Sequence, residues 1–370
     1  MDEALPTTGL TRRLGAGLGT PFDRTSAADA AAIAQRRFGL TATSITRLAT
    51  ERDDTFRVAV DGHADGFVLK ISPPGEDPGE IELQEAAIAH AAMRDHLLPL
   101  QQFVPPLHPS STHPSSTHPS PTNPSPTHGG RAVRMLHYLP GHLLSEVVPT
   151  LDEWRAVGRM LGRLTGALAD FEHPAADRWH AWDLARLDEL AELVPAIADE
   201  GRRLAVATVI AELSAETLPA LRLTRRQVVH NDFHGGNLVV RADDPEFVTG
   251  ILDFGDVVLS HRAADLAVAM SYAGGASPTP ESGSGSTNDP WEPARALASG
   301  YRELVELSDA EAGLLPHLVL GRLAQRVLLA SWLAAARPEN SEYTARNLEA
   351  TWRRFVSLRQ SPLPPGGVRQ

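Results

Sequence analysis

The chain has 370 residues, enough for one large domain or two lobes with separate cores, and 42% hydrophobic against 22% charged residues describes a soluble globular protein. With 46 acidic against 34 basic residues the net charge is -12, which argues against a nucleic-acid partner, because such proteins present a basic face. The absence of cysteine excludes disulfides and thiolate metal sites. The opening MDEALPTTGLTRRLG has no apolar signal region, and no uninterrupted apolar run approaches the roughly 20 residues of a membrane span; the expectation is a cytoplasmic protein with no membrane partner.

Residues 1–25 read as an N-terminal tail. SAADAAAIAQRRFGL (26–40) predicts the first helix, with Ser26 as N-cap and Gly39 closing it. Three short strands follow, at 44–49, 55–60 and 66–71, the last two separated by DGHADG and therefore antiparallel neighbours. GEIELQEAAIAHAAMRDHL (79–97) predicts a second helix. Three strands and a helix make a small lobe, 26–104, not a complete domain.

Residues 105–130 repeat HPSST with drift and carry almost no apolar side chains. Ordering the backbone costs about 1–2 kcal/mol per residue, and nothing here offsets it, so a disordered insert is expected. Its histidines have no means of converging on a fixed coordination shell. AVRMLHYL (132–139) is then an apolar strand ending at Pro140-Gly141, so 131–141 holds the last small-lobe strand and a connecting hinge. Helical patterns dominate 142–360, at 151–171, 183–195, 199–215, 262–273, 291–306, 309–336 and 341–358, interrupted by the β-rich stretches QVVH, NLVV and FVTGILDF. GGASPTPESGSGSTNDP (274–290) is a second loop and 361–370 a C-terminal tail. The fold class is α+β: a small antiparallel-sheet lobe and a larger, mainly helical one.

Two motifs carry the chemistry. VVHNDFHGGNL (228–238) contains Asp-x4-Asn, from Asp232 to Asn237, between two histidines, His230 and His234. GILDFGDVV (250–258) places Asp253 at the end of an apolar run, 16 residues after Asn237. Phosphoryl transfer from a nucleotide needs a group that orients the acceptor hydroxyl and takes its proton, oxygen ligands for Mg²⁺, and a cation on the remaining phosphates. Asp232 fits the first role. The Asn237 side-chain oxygen and Asp253 fit the second, as hard oxygen donors. Lys70, in the apolar strand FVLKI, fits the third, and a buried ammonium wants an acid. The following helix offers Glu82 and Glu85; Glu82 is preferred and Glu85 remains open.

The order Lys, Glu, connecting strand, His-x-Asp-x4-Asn and Asp-Phe-Gly resembles the bilobal protein-kinase-like fold. HNDFHGGN and ILDFGD resemble the aminoglycoside phosphotransferase superfamily more than protein kinases. The wording of ERDDTFRV (51–58), IELQEAAIAHA (81–91), RMLHYLPG (134–141), ILDFGDVVLSHRAADLAVAMSYA (251–273) and DPWEPARALASGYRELVELSDAE (289–311) is most similar to hydroxylysine kinases and bacterial relatives, including the kinase portions of certain aminotransferase fusions. The resemblance implies that 26–104 binds ATP or GTP with Lys70 and Glu82 ordering the phosphates. It further implies that Leu136 to Leu139 flank the purine, that Asn237 and Asp253 hold Mg²⁺, and that Asp232 is the catalytic base.

The phosphate-covering turn ATERDDTF departs from the pattern: it has no glycine, and Asp53 and Asp54 would have to turn away from phosphate. The acceptor implied is a small molecule, cationic or zwitterionic, such as a hydroxylated amino acid or amino alcohol, with Asp256 and His234 as possible substrate contacts. An aminoglycoside acceptor is the alternative, and a nucleotide-binding pseudokinase a second. His230 and His234 as a zinc pair would need a helix, which Gly235-Gly236 opposes, and a further ligand.

Overall fold

A computed structural model describes residues 9–17, 22–48, 50, 53–107, 127–274, 289–336 and 341–363. Most of the HPSST insert and of the 274–290 loop lies outside these residues. Helix α1 (Gly9–Gly17) stands where a tail was expected, and its Leu14 is buried among residues of the larger core. Helix α2 (Ala27–Phe38) begins at Ser26, whose side chain accepts the Asp29 N–H, and ends at Gly39 in the left-handed region.

The small-lobe sheet has the order β1-β2-β3-β5-β4, all antiparallel, from β1 (Ala42–Leu48), β2 (Asp54–Val60), β3 (His63–Ile71), β4 (Thr127–His128) and β5 (Arg131–His137). Alternation fixes its two faces. Phe56, Val58, Phe67, Leu69, Ile71, Val133 and Met135 pack with Ala30, Ile33, Ala34 and Phe38 of α2. Lys70, between Leu69 and Ile71, must therefore leave the opposite face. There it lies directly across from Arg134 of β5.

Helix α3 (Pro78–Arg94) starts at Asp77, whose side chain caps Gly79 N–H. Its Leu83, Ala87, Ile88 and Ala91 belong to the larger core, not to the core of the small lobe in which the sequence places the helix. The helix thus ties the lobes together.

The larger lobe begins with β6 (His142–Leu143) and α4 (Leu151–Ala167). The expected helix at 183–195 is wound as a 3-10 helix, Leu184–Ala196; Pro195 near its end lacks the N–H an α-helix needs. Helix α5 (Glu200–Glu212) passes through a π turn, Leu213–Thr217, into α6 (Leu218–Leu221). Leu213 there packs against Gly321, where any Cβ would lie 2.4 Å from its methyl.

The β-rich interval forms two small sheets. One pairs β7 (Arg226–Val229) with β10 (Val258–His261), a strand the sequence reading had not separated from the Asp-Phe-Gly loop. The other is β6, β8 (Leu238–Val240) and β9 (Val248–Ile251). The remaining helices are α7 (Arg262–Tyr272), α8 (Glu292–Arg302), α9 (Asp309–Ala336) and α10 (Ser341–Gln360).

Helices α4 and α8 cross with backbones in contact: a Cβ at Gly158 would lie 1.9 Å from Leu297 O, and one at Gly300 1.9 Å from Arg155 O. Glu200–Leu221 and α9 are long and apolar enough to cross a membrane by length and composition alone; most of α9 is buried inside the protein. Trp291, Tyr301 and Trp332 are core residues.

The acidic turn is resolved differently at its two carboxylates. Asp54 turns away into the small lobe, fully buried, where Arg47 (2.7 Å), Arg131 (2.8 Å) and the Thr25 N–H (2.8 Å) meet it. Burial alone would raise its pKa, but these donors outweigh burial and hold the carboxyl far below the ordinary range. Replacing Asp54 with Asn should cost on the order of 3 kcal/mol of unfolding free energy near neutral pH, because three donors lose a charged acceptor. A depressed carboxylate stabilises above the unfolded-state value of 3.8 and loses that contribution as pH falls below it. Urea unfolding at about pH 7 and about pH 3 should show the gap between wild type and variant narrowing in acid.

Candidate active site

The loop between β7 and β8, residues 230–237, is irregular and not helical. It is held by its own histidines. His230 is fully buried, with Nε2 3.1 Å from Leu252 O and Nδ1 accepting the Asp232 N–H at 3.3 Å. That pattern calls for the neutral tautomer with the proton on Nε2. Asn231, at φ 64, takes the left-handed turn that an Asn side chain tolerates. Its N–H donates to Asp265 on α7 at 2.7 Å. Burial raises the Asp265 carboxyl to about 6 despite that bond.

Asp232 then projects among three groups. Asn237 Nδ2 donates to its Oδ2 (2.8 Å) and to its carbonyl (3.0 Å). His234 Nε2 is 3.2 Å from the same Oδ2. Because His234 Nδ1 accepts the Gly236 N–H at 2.9 Å, Nε2 carries the proton and donates it. Arg322 Nη2 reaches Oδ1 at 3.4 Å. Burial pushes the Asp232 carboxyl up, and Asp256 adds to this, but His234 and Arg322 outweigh both and the net displacement is downward. The zinc pair weighed for His230 and His234 does not form: their ring nitrogens are committed to Leu252 O, the Asp232 and Gly236 N–H groups and the Asp232 carboxylate, and no metal-binding cluster of His, Asp and Glu occurs among the described residues. His234, expected as a possible substrate contact, touches Asp232 and so also positions it.

Asp253 follows β9 and has φ 53, a left-handed conformation that turns the chain sharply. Its Oδ1 accepts the Gly255 N–H (3.1 Å) and its Oδ2 lies 3.3 Å from Lys70 Nζ. Lys70 is the largest influence on the carboxyl and holds it low against burial and the repulsion of Asp232. Lys70 thus pairs with Asp253, whereas the sequence favours Glu82 as its partner. Glu82 lies on the flank of α3, while Gln84 and Glu85 occupy its buried face.

The cavity beside this ion pair is lined by Lys70, Gln84, Arg134, Leu136, Asp253 and Phe254, among others. Arg134 is the cation that sequence reasoning missed. It is buried, donates to Gln84, and pairs with Asp53 at 3.0 Å. Asp53 is therefore turned toward a cavity cation, unlike Asp54. Leu136 lines the same cavity, and Leu139 lies against Gly250 of β9 at the start of the large lobe.

A divalent cation fits the donor set. With Asn237 Nδ2 spent on Asp232, its Oδ1 lies on the other side of the amide, and the Leu252 N–H bond to Asn237 O (2.9 Å) holds Asn237 next to Asp253. One amide oxygen and one carboxylate, completed by phosphate and water oxygens, is the environment that Mg²⁺ favours.

Asp256 pairs with His180 at 3.3 Å; burial raises its carboxyl, and His180 more than compensates. Arg322, His180, Tyr272 and Arg326 also escaped the sequence reading. Arg322 could have been found, as a charge in the most apolar stretch of α9. Its Nη1 donates to Trp182 O (2.7 Å) and Gln325 Oε1 (3.0 Å).

Comparison with known proteins places this geometry. Residues 44–297 match the model of the "Phosphotransferase enzyme family", abbreviated APH. Hydroxylysine kinase of Danio rerio is 29% identical over 320 residues, covering 84% of this chain and 85% of that protein. Among solved structures, an amicoumacin kinase in complex with AMP-PNP, Ca²⁺ and its ligand superposes with a TM-score of 0.63 at 17% identity, covering 93% of this chain and 97% of that one. A microcompartment-associated aminopropanol kinase superposes with 0.63 at 18% identity, covering 90% and 97%. These superpositions establish a bilobal kinase-like α+β fold.

Removing Arg322 tests the electrostatic frame of the loop. Arg322→Met should lower the unfolding free energy by on the order of 3 kcal/mol, because its side chain is buried and three acceptors lose their donor. The exposed pair of Arg222 and Asp188 is the control: Arg222→Met should change stability by less than about 1 kcal/mol in the same urea titration.

Proposed function

From the premise that this chain belongs to the phosphotransferase enzyme family, we propose that it moves the γ-phosphoryl group of ATP or GTP, with Mg²⁺, onto the hydroxyl of a small amine-bearing alcohol. It is a small-molecule kinase with an alcohol acceptor; the acceptor's identity, the nucleotide and the metal are the proposed parts. A hydroxylated amino acid such as hydroxylysine, or a related amino alcohol, is the reading favoured by the likeness to hydroxylysine kinase. The observation that carries the mechanism is the adjacency of Asp232, Asn237, Asp253 and Lys70 in one cleft.

Each side chain has a task its surroundings suit. Asp232 faces the acceptor hydroxyl and accepts its proton while the hydroxyl oxygen bonds to the γ-phosphorus and the bond to the β-phosphate oxygen breaks. Transition states of this reaction are loose, so proton transfer comes late, and an aspartate held low by His234 and Arg322 serves to orient the hydroxyl first. Asn237 fixes the Asp232 rotamer through Nδ2. Asn237 Oδ1 and Asp253 would hold the divalent ion, which supplies charge neutralisation between the phosphates. Lys70, released from Asp253, would hold the non-transferred phosphates, with Leu136 and Leu139 beside the base. Asp256 has the charge for an acceptor ammonium.

Nucleotide turnover over a panel of amino alcohols, hydroxylated amino acids and aminoglycosides, with ATP and GTP in parallel, tests the proposal. Asp232→Asn should reduce kcat by roughly 10²–10⁴-fold with little change in nucleotide KM. Unchanged turnover in the variant would remove Asp232 from the mechanism.

A further inference from the structure

Two arginines one turn apart on α9 lie near Asp232, one in direct contact and one through intervening rings, and they differ in their partners. Arg322 is buried and uses both terminal nitrogens to frame the loop: it donates to Asp232, Trp182 O and Gln325 and lies over the Trp182 ring at 4.8 Å. Arg326 leaves the same face of the helix. It lies over the Tyr272 ring at 4.0 Å, and Tyr272 is stacked on His234 with centroids 4.6 Å apart. A continuous path of contacts therefore runs from the Asp232 carboxylate through His234 and Tyr272 to the Arg326 guanidinium.

Among the described residues no carboxylate pairs with Arg326 and no oxygen accepts a hydrogen bond from it. It is only partly exposed, and its contact is an aromatic face. Burial pushes its pKa down, with neighbouring Arg322 acting in the same direction. A planar guanidinium in this position gains most from a planar anion able to take two N–H bonds at once.

We propose that Arg326 anchors a carboxylate on the acceptor, so that the substrate is a hydroxylated amino acid and not a polycationic aminoglycoside or a simple amino alcohol. This rests on the phosphotransferase reading above and narrows it. The two cations on α9 disfavour a polyamine at this end of the cleft, because like charges repel in a partly desolvated site. A nucleotide phosphate is the other anion available. Lys70 is the cation already placed beside Asp253 for that group, whereas Arg326 is reached from Asp232 through His234 and Tyr272.

The test compares hydroxylysine, homoserine and serine, each with the amino alcohol left by removing its carboxyl group, using wild type, Arg326→Gln and Arg326→Lys. Wild type should turn over at least one amino acid with kcat/KM about tenfold or more above its decarboxylated partner. Arg326→Gln should raise KM for that amino acid by roughly tenfold to a hundredfold, while the KM values for the nucleotide and the amino alcohol stay put. Arg326→Lys should recover part of the loss. Activity on the amino alcohol reports that the variant is folded.

The proposal is overturned if amino alcohols or aminoglycosides are used as well as the amino acids. It is equally overturned if Arg326→Gln impairs both acceptors alike or raises nucleotide KM. Absence of turnover with every acceptor would instead overturn the phosphotransferase reading on which this one rests.

Discussion

The structure is organised around one electrostatic constraint: a carboxylate taken out of water has to remain charged. Removing an isolated carboxylate from solvent costs several kcal/mol even after relaxation, and a nearby carboxylate adds to the cost. Asp232 has Asp256 close enough to raise it further. What keeps it ionised comes from three residues in two separate parts of the chain. Asn237 and His234 are supplied by its own loop, and Arg322 by α9 some 90 residues later. Because Arg322 also binds Trp182 O, the same side chain connects the loop to the segment that leads into the 3-10 helix. The helical lobe therefore does more than supply a core: it delivers a buried cation to one oxygen atom.

A second consequence concerns the junction of the lobes. Lys70 and Arg134 stand opposite each other on neighbouring strands, an arrangement of like charges that is unfavourable by itself. Each is neutralised by a different carboxylate, Asp253 from the large lobe and Asp53 from the small one. Lys70 thereby reaches across the cleft. Phosphate oxygens entering there would replace one carboxylate oxygen with another set of oxygens, so the lysine exchanges partners without ever being left unpaired. The helix α3, packed into the larger core, keeps the two lobes in the register this exchange requires.

Much of this was legible because local chemistry and fold agreed. Ser26 and Gly39 bound a helix by capping, alternation in FVLKI turns Lys70 to the face away from α2, and Asp232 and Asn237, singled out by their spacing, are hydrogen-bonded to each other. What escaped depended on contacts distant in sequence. Helix α1 is short and polar, and only the docking of Leu14 on the larger core gives it a reason to form. The strand β10 is four residues long and is defined by its pairing with β7. Glu82 is preferred over Glu85 in the sequence, where helical spacing puts both near one face; burial separates them, and Lys70 pairs with Asp253. Arg322 and Arg326 lie in a stretch, 309–336, whose pattern says only that it is helical. Their meaning appears only once α9 lies beside the loop at Asp232.

The most direct test of this account is the ionisation of Asp232 in the free protein, followed by carbon-13 NMR of the aspartate carboxyls, with the resonance assigned by its loss in Asp232→Asn. The account predicts that the carboxyl stays ionised as the pH is lowered from about 7 to about 5, because His234 and Arg322 hold it below the ordinary aspartate value of 3.8. A carboxyl that takes up its proton within that interval would mean that burial prevails over these two neighbours, and would contradict the electrostatic frame described for the site.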